Sequence, residues 1–186
     1  RPLFPADPEL RRAVEEADAW GEGAVQDIGR RLVWFHFLHS PEAMSAWVAR
    51  EQDPRMLVVK KTFRRPAARM AATANRATPD RVRTDLAVLP ALLDRIDALI
   101  ARGVIGDPDA PNAADFQLLS SVGVWSIPRD IRPAIVDRPC GEAMLRLFPI
   151  YEGDGVAPGV APAAWLAPLR ASIAEREAAP AIHHAG

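Results

Sequence analysis

The sequence predicts an all-α protein, a bundle of helices without a sheet. Apolar residues repeat at steps of three and four over long segments, which is the spacing of one face of an α-helix. Several of these segments open with a helix-capping residue followed by proline or an acid. No segment of useful length alternates apolar and polar residues as a half-buried strand does.

The first predicted helix follows a Pro-rich segment at residues 1–6 and runs to about His39. Asp7 is a suitable N-cap, Pro8 fits the first helical position, and Glu9 complements the positive end of the helix dipole. One stripe of apolar or small residues recurs along this helix: Val14, Ala17, Gly21, Val25, Ile28, Leu32 and Phe35. Such a helix would be about 45 Å long, with bends or close packing expected at its glycines.

A second stripe on the same helix lies about a quarter turn away. It mixes aromatic, charged and small residues: Trp20, Ala24, Asp27, Arg31, Trp34 and Leu38. This face is too polar for a core and too aromatic for an ordinary solvated surface. Three interpretations stay open: an interface with another domain or subunit, a site for an amphipathic ligand, and a partly buried edge of the core.

A short second helix is predicted to start at about Glu42, with Ser40 as its N-cap and Pro41 beside it. The chain then carries seven basic residues and no acid between Arg55 and Arg76. We expect one or two irregular helices there. Their charges form either a solvated helix face or a local anion site for a carboxylated ligand.

The most regular amphipathic segment opens at Thr78 and Pro79 and ends at Gly103. Its apolar residues recur at alternating steps of four and three: Val82, Leu86, Leu89, Leu93, Ile96 and Ile100. This spacing predicts a core helix. Pro90 removes one backbone donor, so a bend is expected near residues 86–89.

Residues 106–125 contain a helix start and a buried helix. Asn112 is placed to accept the N–H of Asp115, while the Asp115 carboxylate accepts the N–H of Asn112, as in a capping box. Pro111 stands where a hydrophobic staple against Phe116 would form. Few polar residues interrupt the apolar ones that follow, so we expect this helix to lie inside other helices. The apolar residues are Phe116, Leu118, Leu119, Val122, Val124 and Trp125.

Two further helices are predicted at about residues 138–147 and 164–177, with a Gly/Pro-rich connection between them. Residues 7–177 are therefore expected to form one helical domain. Residues 1–6 read as the remnant of an interdomain linker in a longer protein, and residues 178–186 as a flexible tail.

Composition argues against several classes of protein. A net charge of -1 gives no general reason to expect nucleic acid or an anionic membrane as a partner. No apolar run approaches the ~20 residues needed to span a bilayer. The single cysteine, Cys140, excludes an internal disulfide and favours a reducing compartment, so a cytoplasmic protein is expected.

No set of residues forms a self-contained catalytic site. His36 and His39 are close in sequence, but no acid or cysteine stands at matching spacing, which favours helix-terminal histidines over metal ligands. Cys140 is expected near a helix N-terminus, yet without a neighbouring His or second Cys a packed cysteine is favoured over a reactive one. The capping role accounts for Asp115. We therefore predict no catalytic residue and no metal site in this chain.

Three segments of the chain resemble the C-terminal helical domain of the glutathione S-transferase family. The linker and first helix are in LFPADPELRRAVEEADAWGEGAVQ, the capped central helix is in IGDPDAPNAADFQLLSSV, and a later helix with its tail is in RPCGEAMLRLFPIYEGDGVAPGVAPAAWLAPLR. The resemblance spans most of residues 3–170 and implies that family's all-α bundle. These patterns are typical of the fold, and none of them is a catalytic signature.

The resemblance also implies a division of roles. In this family an N-terminal thioredoxin-like domain, which this chain lacks, binds glutathione as co-substrate and activates its thiol. The helical domain supplies a wall for a small electrophilic or thiol substrate and part of a homodimer interface. This implies substrate-binding roles for Trp20, Asp27, Arg31 and Trp34, with Arg31 polarising or anchoring the acceptor and the two tryptophans forming an apolar wall. The alternatives are a non-catalytic protein-interaction scaffold of the same fold and a stand-alone helical ligand-binding protein.

Overall fold

The computed structural model describes residues 2–49, 65–153, 155 and 157–178, which contain helices and no strand. The helices are α1 Pro8–Trp20, α2 Gln26–His39, α3 Pro41–Ala49, α4 at residues 65–74, α5 Pro79–Ala101, α6 Ala113–Trp125, α7 Pro139–Leu147 and α8 Ala167–Ala178. Short 3-10 turns lie at Arg132–Ala134 and Pro149–Tyr151. The all-α prediction is confirmed. Most of the expected tail and of the basic stretch before residue 65 lies outside the described residues.

The first long helix is interrupted near its middle. Asp7 caps α1 as predicted, accepting the N–H of Leu10 at 2.7 Å, and the seven residues of the apolar stripe are all buried. A π-helical turn at Gly21–Val25 joins α1 to α2, within the segment that the sequence predicted as one long helix with bends or close packing at its glycines. A Cβ at Gly21 would lie 2.6 Å from Cγ of Gln117. The π turn therefore packs against α6 at a point where only glycine fits.

Helix α6 is the central helix, in contact with α1, the π turn, α2 and α7. Its capping box is confirmed: the Asn112 side chain accepts the N–H groups of Ala114 and Asp115 at 3.0 and 3.3 Å, and Asp115 accepts that of Asn112 at 2.8 Å. Phe116 departs from the expected burial. It is 41% exposed and lies edge-on to Phe148, with 6.3 Å between ring centroids.

Helix α5 packs against α2, α7 and α8. Five of its six predicted core residues are completely buried, and Ile100 is half-buried. Pro90 lies inside a helix that continues on both sides of it. Gly103, with φ of 68°, adopts the left-handed conformation that ends many helices, as its position in the sequence predicted.

The N-terminus of α7 is held against α5 by a buried arginine. Arg138 is 2% exposed, and its Nε donates to Asp97 at 2.7 Å while a second guanidinium nitrogen contacts Asp94. The other carboxylate oxygen of Asp97 accepts the N–H of Cys140 at 2.8 Å. Asp97 therefore caps α7 from a neighbouring helix, which is the role that a side chain at the N-cap itself usually has.

The connection from α7 to α8 folds back over the turn that follows α6. Arg132 donates to the carbonyl oxygen of Tyr151 at 2.9 Å and to Oγ of Ser126 at 3.2 Å. The backbone N–H of Arg129 donates to the carbonyl oxygen of Ala157 at 2.9 Å. Among the described helices, none is both long and apolar enough to cross a membrane.

Candidate functional site

The second stripe of the first helix faces α5 at its charged centre. Arg31 forms a bidentate ion pair with Asp85 of α5, with N–O distances of 2.7 and 2.9 Å. The hydrogen bond that Arg31 donates to Asp85 is the main reason that the pKa of Arg31 is raised. Asp27 is more than half exposed and lies 4.0 Å from the same guanidinium. Arg31 therefore links two helices of the domain, and its charge is already matched by Asp85.

The two tryptophans of the stripe are half-buried and pack against the core. The guanidinium of Arg95, also on α5, lies 4.0 Å from the ring centroid of Trp20, within the range of a cation–π contact. Trp34 stands edge-on to Phe37, with ring centroids 5.8 Å apart. The structure thus places Trp20 and Arg31 against α5, leaves Asp27 in solvent, and joins Trp34 to the aromatic end of α2.

The partners of the stripe on α5 are Asp85 and Arg95, which the spacing of the first helix does not indicate. Asp85 lies three residues after Val82 and four before Leu89, so it belongs to the same buried face as the apolar stripe. An acid on a core face requires a partner, because an unpaired buried charge is strongly disfavoured. The position of Asp85 on this face is therefore the feature of the sequence that could have predicted a buried partner such as Arg31.

A second buried polar pair lies at the C-terminal end of α2. His36 is completely buried, and its Nδ1 is 2.8 Å from the carbonyl oxygen of Leu32, so that nitrogen carries the proton. Its Nε2 lies 3.4 Å from Oδ1 of Asp130 without forming a hydrogen bond, a contact that becomes an ion pair only when Nε2 also carries a proton, while Oδ2 of Asp130 accepts the N–H of Ala161 at 3.1 Å. Burial acts to raise the pKa of Asp130, but the contacts with His36 and Ala161 outweigh it and lower that pKa. The pair ties α2 to the connection before α8.

His39, by contrast, points outward, and its Nδ1 lies 2.8 Å from the carbonyl oxygen of Phe35. In the parts of the chain that the structure describes, no three His, Cys, Asp or Glu side chains are grouped so as to hold a metal ion. Cys140 is buried, and burial raises the pKa of its thiol far above the usual range. Asp115 uses both carboxylate oxygens, since Gly106 donates to the one that Asn112 does not, at 2.6 Å.

A cavity of about 210 Å³ lies where α2, α3 and α4 meet. We call it the α2–α3–α4 groove. Its lining residues are Phe37, Leu38, Pro41, Met44, Arg65, Ala68 and Arg69. Phe37, Met44 and Ala68 form a buried apolar floor, while Arg65 and Arg69 are exposed on α4. Leu38, the last residue of the predicted stripe, lines this groove, while Trp34 packs on Phe37 and is not itself part of the lining.

Comparison with known proteins does not refine the fold beyond an all-α bundle. No family model, no curated protein and no solved structure matches this chain. The all-α bundle is therefore established by the structure alone.

Proposed function

We propose that this chain is the helical substrate-binding domain of a glutathione S-transferase-like protein, and that the α2–α3–α4 groove with Trp34 forms its ligand wall. The observation that supports this best is the groove itself, a cavity at the end of the first long helix that is lined by buried apolar side chains and two exposed arginines. Ligand sites are typically concave and apolar with a few polar groups. The capped, buried α6 supports the bundle type implied by the sequence.

The proposal assigns binding to this chain and thiol activation to another domain. Burial and the raised pKa of Cys140 make that thiol a poor nucleophile. Glutathione conjugation or thiol-dependent reduction would therefore need a group supplied by the thioredoxin-like domain. In this proposal Arg31 acts by fixing α2 against α5, because Asp85 already occupies its guanidinium.

Calorimetric titration of glutathione tests this proposal. The titration is made into the full-length gene product, with the 186-residue chain as the control. We expect heat of binding from the full-length protein and none from this chain. Absence of binding to both proteins would overturn the glutathione part of the proposal.

A non-catalytic interaction module is the second candidate. It is favoured by the internal pairing of Arg31 with Asp85 and of Trp20 with Arg95, since neither stripe residue then needs a ligand. This candidate predicts that the full-length protein binds no glutathione and instead retains a protein partner. Substitution of exposed stripe residue Asp27 by Arg would then weaken that partner's binding without changing the fold.

A further inference from the structure

We propose that the α2–α3–α4 groove binds a small amphipathic carboxylate, with its apolar body on the groove floor and its carboxylate between Arg65 and Arg69. As a statement about a substrate, this rests on the proposed function. As a statement about binding, it concerns residues of this chain alone and can be tested without glutathione.

The charge of the groove points to an anion. Arg65 and Arg69 are one helical turn apart on α4, so their side chains emerge on the same face. Like charges at this spacing disfavour a helix slightly, and residues 65–74 contain no acid to offset them. On α1, by contrast, an acid one turn away neutralises an exposed arginine: Arg11 and Glu15 form an ion pair at 2.9 Å. A bound anion would supply a negative charge that α4 itself does not carry.

The floor of the groove points to an apolar body on that anion. Phe37, Met44 and Ala68 are almost completely buried, and Leu38 is half-buried beside them. Inorganic phosphate or sulfate would meet the arginines but would make no contact with this apolar lining. A ligand with an aromatic or branched aliphatic body would pack against Leu38 and the edges of the floor, and this apolar contact would add to the affinity that the arginines supply.

Size and geometry favour a monocarboxylate. A volume of about 210 Å³ is below the range of roughly 300–1,000 Å³ that is usual for drug-sized ligands. Arginine pairs with carboxylates through two parallel N–H donors, and two arginines on one helix face can share a single carboxylate. The ligand class is therefore a compact carboxylic acid whose ionised end faces solvent.

The test is calorimetric titration of 4-phenylbutyrate into the 186-residue chain at low ionic strength. Two comparison compounds separate the contributions: 4-phenylbutanol lacks the charge, and inorganic phosphate lacks the apolar body. We expect 4-phenylbutyrate to bind at least tenfold more tightly than either. Equal affinity for the alcohol would refute the role of the arginines, and equal affinity for phosphate would refute the role of the floor.

Variants locate the site on the protein. We expect Arg65→Gln and Arg69→Gln each to weaken 4-phenylbutyrate binding about tenfold, since each removes a charge-assisted hydrogen bond. Arg81→Gln is the matched control, because it removes an exposed arginine on α5 outside the groove. Ala68→Leu fills the floor and should abolish binding, and far-UV circular dichroism checks that this variant is folded. Equal losses in the control and in the α4 variants would overturn the proposal.

The two proposals fail separately. If 4-phenylbutyrate binds this chain but glutathione does not bind the full-length protein, the carboxylate site stands and the transferase assignment falls. If glutathione binds the full-length protein and 4-phenylbutyrate does not bind the chain, the transferase assignment stands and the carboxylate site falls.

Discussion

Removal of Asp97 should destabilise the domain more than removal of any exposed acid on the same helix. One oxygen of Asp97 accepts from Arg138 at 2.7 Å and the other accepts the N–H of Cys140 at 2.8 Å. A hydrogen bond to a charged group contributes about 1.5–3 kcal/mol, and an N-cap contributes about 1 kcal/mol. Asp97→Ala removes both, so we expect a loss of about 2.5–4 kcal/mol in the free energy of unfolding.

Two companion variants separate the ion pair from the cap. Asp97→Asn keeps an acceptor for the N–H of Cys140 but removes the charge, so its loss should be smaller than that of Asp97→Ala. Asp94 also contacts Arg138, but its side chain is 66% exposed, compared with 18% for Asp97. Asp94→Ala should therefore cost only about 0–1 kcal/mol, as is usual for exposed ion pairs.

Urea unfolding followed by far-UV circular dichroism measures these differences at neutral pH, with thermal unfolding as a second measurement. For a domain of this size, the loss expected for Asp97→Ala corresponds to a fall in Tm of roughly 5–16 °C. The reasoning would be refuted if Asp94→Ala destabilised the protein as much as Asp97→Ala. It would also be refuted if Asp97→Ala changed the free energy of unfolding by less than about 1 kcal/mol.

Three further predictions concern other contacts of the fold. A double-mutant cycle with Arg31→Ala and Asp85→Ala should give a coupling energy of about 1–3 kcal/mol in urea unfolding, and additive effects would contradict the bidentate pair. The lowered pKa of Asp130 contributes stability that is present above the ordinary aspartate pKa and is lost as pH falls through the lowered value. Asp130→Asn should therefore flatten the loss of stability below about pH 4, and an unchanged acid limb in unfolding experiments would argue against the pair with His36. In Gly141→Ala the new Cβ would lie 2.0 Å from the carbonyl oxygen of Ile135. The variant should therefore have a free energy of unfolding lower than that of the wild type by about 1–3 kcal/mol or more. An unchanged Tm would contradict this packing.

The features that the sequence predicted correctly are local ones. The capping box joins Asn112 and Asp115, which lie within a single helical turn, so residue type and spacing are sufficient to specify it. The apolar stripes of α5 and of the first helix follow from helical periodicity in the same way. Phe116 was placed wrongly because periodicity cannot indicate where a helix surrounded by others leaves a gap.

The features that the sequence did not predict depend on the relative positions of distant segments. Arg31 and Asp85 are 54 residues apart in the chain, and the pair exists only once α2 packs on α5. The same holds for Arg138 and Asp97, which are 41 residues apart. The groove needs three helices to meet, so the basic stretch alone could not distinguish a solvated face from an anion site.

The π turn should tolerate the loss of one residue better than the α-helix that follows it. A π turn closes after i→i+5 instead of i→i+4, and so holds one residue more than an α turn between the same two ends. Glu22, Gly23 and Ala24 are exposed, while Gly21 and Val25 are buried on either side of them. Loss of one exposed residue there would convert the turn to ordinary α-helix and leave both flanking faces in place. Loss of one residue within α2 would instead rotate its two ends about 100° relative to each other. Natural relatives of this domain should therefore vary in length at Gly21–Val25 and keep a constant length through α2.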